Sequence, residues 1–238
     1  MLITGNEINT YYLFFIFFSC ILVYGLQRFY RIQAKEDNPD LKLLFNSHGK
    51  SLVIIWIWSA IGILALVALM PFKKILLLSF ALLVSILYVY NPFGRPIREM
   101  MSLTKAFIIG IVWTWVLFFV PLGCSQLPTQ LYGLILITGY SQPFDLRDIN
   151  IDHANRITTI AHKVDKSRLL ALSMALVLVS FHGFISYTQA TVFTLSVPLA
   201  YTLLVLIKIN NKGTKNDFNL FLESLPLILL FSHVALNI

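Results

Sequence analysis

Charge is scarce in this chain. Of its 238 residues, 12% are Asp, Glu, Lys or Arg against 58% hydrophobic, which excludes an ordinary soluble domain, where about a quarter of the residues are charged. Cysteine is scarcer still. Cys20 and Cys124 alone cannot make a disulfide scaffold, and no Cys/His cluster has metal-ligand spacing. Cys20 falls mid-segment and Cys124 in a short outer loop, levels too different for a disulfide. A Ser/His/Asp order and low-complexity tracts are absent. A phosphate-binding P-loop is missing too: Gly49-Lys50-Ser51 matches its end, but Leu44 stands where the first glycine is required. Met1 to Asn9 lacks Lys and Arg, so the apolar run that follows reads as a spanning helix and not as a cleavable signal.

What the chain does have is apolar residues in runs. A helix needs about 20 residues to cross about 30 Å of hydrocarbon. Runs of about that length lie at residues 10–30, 51–70, 74–90, 102–121, 126–141, 169–187, 189–208 and 218–236. The expected fold is therefore all-α: one integral-membrane domain over residues 1–238, a polytopic bundle of about eight transmembrane helices. The formal net charge of +7 does not indicate nucleic acid, because the cations are sorted by loop and do not form an aromatic-lined groove. All Lys and Arg residues except Lys73 and Lys74 fall in odd-numbered loops. That bias places the odd loops in the cytoplasm and suggests a bacterial inner membrane.

One polar island interrupts the apolar pattern: residues 142–168, QPFDLRDINIDHANRITTIAHKVDKSR. If its start is helical, Asp145, Asp148, Asp152 and Arg156 stand at i, i+3, i+7 and i+11, one narrow face at about 100° per residue. Three carboxylates on one face suit Mg²⁺, which shares its coordination with water and substrate phosphates. Arg147, Arg156, Lys163, Lys166 and Arg168 surround them and would meet an anionic ligand. A solvated loop is the plainer reading of the same residues. A second polar loop, residues 88–105, carries Arg95, Arg98 and Lys105 among helix-breaking Pro92, Gly94 and Pro96. These cations read either as topology signals or as a diphosphate clamp. Arg28 and Arg31, with Tyr24 and Gln27, close the first apolar run as interface anchors or as further anion contacts. Thr138, Gly139, Tyr140 and Ser141, just ahead of the island, would let helices approach closely. In the last segments Glu223 stands out as an ionisable group within an apolar run, whereas His182 and His233 read as packing residues.

The island DLRDINIDHANRITTIA resembles the second aspartate-rich motif of the UbiA-type intramembrane prenyltransferases, a D-x-x-D-x-x-x-D pattern followed by a basic or glycine position and a Thr-hydrophobic run. Here these are Asp145, Asp148, Asp152, Arg156 and Thr158-Thr159-Ile160. The basic Tyr90 to Arg98 loop leading into Lys105 agrees in order, and the eight spans compare with the family's usual nine. The resemblance implies a UbiA-like bundle around a lipid-facing cavity. It also implies that Mg²⁺ on Asp145, Asp148 and Asp152, the expected catalytic residues, holds an isoprenyl diphosphate, with Arg28, Arg31, Arg95, Arg98, Lys105 and Arg156 on its phosphates. The isoprenyl group would pass to a lipophilic acceptor, aromatic or other. The family's first acidic motif is replaced by YGLQRFYR, without a carboxylate until Glu36 and Asp37, so half of the expected metal ligation is missing. Arg28 and Arg31 could neutralise phosphate in its place. A noncatalytic isoprenoid- or lipid-binding protein that keeps the fold is the competing reading. A small-solute transporter fits less well, lacking mid-membrane ionisable residues and a two-half repeat.

Overall fold

The computed structural model describes residues 10–33, 39–89, 104–154, 157–187, 199–200 and 202–207. All regular structure among them is helical. In chain order the elements are α1 (Thr10–Gln33), α2 (Pro39–Val67), α3 (Phe72–Val89), α4 (Lys105–Thr114), a widened turn (Trp115–Phe119), α5 (Val120–Leu122), a tight turn (Gly123–Gln126), α6 (Leu127–Arg147), α7 (Ile149–Ala154), a single 3₁₀ turn (Ile160–His162) and α8 (Lys166–Tyr187). Residues 202–207 are also helical. Among the described residues four stretches are long and apolar enough to cross a bilayer: Tyr11–Tyr30, Phe45–Val67, Lys105–Leu122 and Lys166–Tyr187. Their outward side chains are large hydrophobes, such as Phe14, Phe17, Ile54, Trp58, Leu172 and Val179, as expected where lipid and not water is the solvent. The last of the apolar runs, residues 218–236, lies outside the described residues.

The chain divides into two compact units, one comprising residues 8–101 and 153–157, the other the remainder. In the first unit α1 and α2 form an antiparallel pair keyed by glycine. A Cβ at Gly25 would strike the Trp56 indole, and one at Gly62 would strike the Phe18 ring at 2.9 Å. The two helices thus exchange aromatic knobs for glycine holes, and Gln27 Nε2 ties α1 to α3 by donating to the Ser85 carbonyl at 3.0 Å. With no hydrophobic gain available between helices in lipid, close backbone approach of this kind is what drives association.

In the second unit α6 is the inner helix, packed against α4 on one side and α8 on the other. Its sequence is too polar to count as a spanning candidate, and the polar residues are the buried ones: Thr129, Gln130, Ser141, Gln142 and Asp145. The apolar core beside it comprises Phe118, Leu136, Val177, Phe181 and Phe184. Glycines again set the spacing. A Cβ at Gly133 would meet the Phe118 ring at 2.7 Å, and one at Gly139 would meet Leu176 Cβ at 2.9 Å.

Pro143 lies inside α6. It has no N–H, so the carbonyl four residues earlier, on Gly139, loses its helical donor. The Ser173 hydroxyl of α8 donates to that same carbonyl at 2.6 Å, and Ser173 is fully buried. Hydroxyl rescue of a proline-freed carbonyl is how lipid-embedded helices tolerate proline. Ser173→Ala is expected to destabilise the protein by about 1–3 kcal/mol, because an acceptor is left buried and unpaired. The same substitution in a Pro143→Ala background should cost clearly less, since the backbone of the replacement residue restores the missing N–H. A double-mutant cycle on detergent unfolding midpoints checks this, and equal costs in both backgrounds would refute the pairing.

Candidate functional site

The polar island starts on the last turn of α6. That helix ends at Arg147, and Asp148 adopts φ −92° and ψ 3°, outside the helical basin, before α7 resumes the coil at Ile149. The backbone still connects across the break, with Asp148 N–H donating to Phe144 O at 3.0 Å and Asp152 N–H to Asp148 O at 2.8 Å. The offset alters which carboxylates meet. Asp145 and Asp152 converge on the ammonium of Lys105, the first residue of α4, at 3.0 and 3.1 Å. Asp148 is engaged by its chain neighbour: Arg147 Nε and Nη2 reach its two oxygens at 2.8 and 3.2 Å. The Arg147 guanidinium also lies over the Phe144 ring, 4.9 Å from its centre.

Burial decides what this cluster means. Asp145 is 2% exposed and Asp152 4%, so two carboxylates share one ammonium almost out of reach of water. Burial pushes the Asp145 carboxyl above its ordinary range; Lys105 pulls it back by charge and hydrogen bonding, while Asp152 and Asp148 push it further up. The folded chain therefore holds this proton more tightly than the unfolded chain. Its contribution to stability is fully present below the ordinary carboxylate range and is lost as pH rises through the raised value. The stability advantage of wild type over Asp145→Asn should accordingly shrink as pH climbs from about 4 towards neutrality. Unfolding midpoints of both proteins across that range test the sign, and a growing advantage would contradict it.

A histidine latch holds the second half of the island against its first. Thr159 is completely buried, and its backbone N–H donates to His162 Nδ1 at 3.2 Å. His162 Nε2 lies 3.2 Å from the Ile149 carbonyl. A carbonyl only accepts, so the ring proton sits on Nε2 and Nδ1 is the acceptor. The latch was readable as T-x-x-H, a variant of the Ser/Thr-x-x-Glu/Gln capping box. One turn before Asp145, Gln142 is buried and its Oε1 has no hydrogen-bond partner among the described residues; Thr114 and Thr138 hydroxyls share that condition.

Of the expected site residues, Lys105, Asp145 and Asp152 come together and Asp148 pairs separately. Arg28 is exposed on α1 in the other unit. Arg31 belongs to α1 as well, and Arg95, Arg98, Arg156, Glu223 and His233 lie outside the described residues. Lys163, Lys166 and Arg168 are exposed; Arg168 Nε reaches Asp165 at 3.5 Å. Cys20 is a free thiol, and His182 is exposed on α8.

The carboxylates do not fit a Mg²⁺ ion as they stand. An ammonium lies at hydrogen-bond distance of both buried carboxylates, and a guanidinium takes both oxygens of the third. Among the described residues no three His, Cys, Asp or Glu side chains group closely enough to hold a metal. Compared with family models, curated proteins and solved structures, the chain matches none.

Proposed function

We propose that this chain is a UbiA-like membrane protein of about eight transmembrane helices that binds an isoprenyl diphosphate at its cytoplasmic face and transfers the isoprenyl group to a lipophilic acceptor. The observation that supports this reading is the Asp145–Lys105–Asp152 cluster, where a cation is fixed by two buried acids, one at the end of the inner helix α6 and one on α7. Ion pairs of this kind add little to stability over an apolar core, because desolvation offsets their attraction. In a membrane protein such a group is a functional-site hypothesis by default. The aspartate spacing matches the family motif, and Lys105 opens the helix that follows the basic loop.

In this reading Lys105 is the electrophilic group. Its ammonium is a compact point charge suited to a phosphate oxygen, and Asp145 and Asp152 keep it in place. The allylic C–O bond breaks with its electron pair going to the diphosphate. The allylic carbon then bonds to the acceptor, and the acceptor's proton passes to the released diphosphate. Fixed cations at the departing oxygen stabilise charge that develops only as the bond breaks. A second reading, a noncatalytic isoprenoid-binding protein, is favoured by one specific observation: every carboxylate of the motif is already matched to a cation of the chain itself.

Membranes containing the chain, supplied with labelled isoprenyl diphosphates and a lipid extract, separate the two readings. Labelled product that falls about 100-fold or more in Asp145→Asn supports transfer. Binding of the labelled diphosphate without product establishes the noncatalytic reading. No binding at all removes both.

A further inference from the structure

We infer that Lys105 takes the place of a divalent metal in this cluster, so that the site meets a diphosphate without Mg²⁺ and excludes the ion as long as the lysine is present. The inference rests on the reading of the cluster as a diphosphate site. It concerns Lys105, Asp145, Asp152, Asp148 and Arg147, all in one compact unit.

A metal bridging two carboxylates and the same two carboxylates around an ammonium are alternative ways to compensate one pair of buried anions. Lys105 Nζ stands 3.0 and 3.1 Å from Asp145 and Asp152, ordinary charge-assisted hydrogen bonds. A Mg²⁺ ion demands near-octahedral oxygen ligands at about 2.0–2.1 Å. To bind the same oxygens it would have to displace the ammonium or lie against it, and two like charges a few ångströms apart in a site this dry repel strongly. Lys105 cannot withdraw at no cost, because two acids that are 2% and 4% exposed would lose their counter-ion.

The third acid closes the alternative. Mg²⁺ on Asp148 together with either partner would need the Asp148 carboxylate to turn away from Arg147, which holds both of its oxygens at 2.8 and 3.2 Å. The backbone of Asp148 has left the helical basin, and its carboxylate is engaged by Arg147 while Lys105 holds the other two.

The test uses the full-length chain in detergent, with Mn²⁺ as the metal probe and geranylgeranyl diphosphate as the anion probe. In Mn²⁺ electron paramagnetic resonance, wild type is expected to show no tightly bound ion. Lys105→Met is expected to bind one, and Lys105→Met/Asp145→Asn to lose it. If Lys105→Met folds poorly, a rise in its unfolding temperature with Mn²⁺, absent in wild type, is the equivalent expected result. Geranylgeranyl diphosphate should bind wild type equally in Mg²⁺ and in EDTA. Mn²⁺ bound by wild type and released in Asp145→Asn overturns the inference, as does diphosphate binding that vanishes in EDTA. A diphosphate that fails to bind under either condition overturns the functional reading instead, while the Mn²⁺ comparison still reports on the lysine.

Discussion

Replacing Lys105 with Met is expected to destabilise the protein by about 3–5 kcal/mol, the usual cost of stranding a buried charge by removing its partner. Here one side chain serves two acids, so both Asp145 and Asp152 are stranded. The chain can respond by protonating Asp145, which burial already predisposes to hold its proton. The loss should therefore be smaller at acid pH than at neutrality. The neutral triple variant Lys105→Met/Asp145→Asn/Asp152→Asn should recover most of the stability, because the cost comes from uncompensated charge and not from lost packing. Arg168 and Asp165 provide the contrast. They pair at 3.5 Å but are 81% and 76% exposed, and breaking that pair should cost well under about 1 kcal/mol. Unfolding midpoints in detergent at two pH values measure all of these. A small, pH-independent loss in Lys105→Met would mean that water reaches the cluster.

The membrane character of the chain was legible from the sequence, because long apolar runs follow directly from the solvent a helix must face. The four candidate spans coincide with runs of that kind. Harder to read was the helix that matters most. α6 has the polar composition of a marginal segment, yet Gln130, Ser141, Gln142 and Asp145 face inwards, and hydropathy cannot distinguish polar residues turned to protein from polar residues turned to water. The small residues around Gly139 did signal close helix approach, and Gly139 against Ser173 and Leu176 is such a contact.

The acidic motif was legible in composition but not in geometry. Spacing of i, i+3 and i+7 assumes an uninterrupted helix, and the break at Asp148 invalidates that assumption. No propensity of Asp148 announces the break. It is supported by a neighbour, Arg147, whose guanidinium is itself placed over Phe144. Pairing of Lys105 with Asp145 and Asp152 joins residues far apart in the chain, 47 positions in the case of Asp152, a separation at which local pattern carries no information. Ser173 escaped notice for the same reason, since the Gly139 carbonyl that it serves lies 34 positions away in the chain.

Gly139→Val should be as damaging as the loss of Lys105, and by a different route. A Cβ at this position would lie 2.9 Å from Leu176 Cβ, 3.2 Å from the Ser173 carbonyl oxygen and 3.4 Å from Val177 Cγ2. Two of these three atoms are fixed to the backbone of α8, so no rotamer change can make room and the helices must part. Overpacking of this kind costs about 1–3 kcal/mol. Parting also breaks the Ser173 hydrogen bond to Gly139, exposing again the carbonyl that Pro143 left without a donor, for about a further 1–3 kcal/mol. Gly49 is the control. It sits within α2, and a Cβ there would meet nothing within 4 Å, so Gly49→Ala should be neutral or gain up to about 1 kcal/mol from helix propensity. The two effects in Gly139→Val are coupled, and that makes the prediction specific: adding Pro143→Ala should return only the hydrogen-bond share, leaving the steric share in place. Full recovery, or none, in the unfolding midpoint of the double variant would show that α6 and α8 are not held together at this point by both contacts.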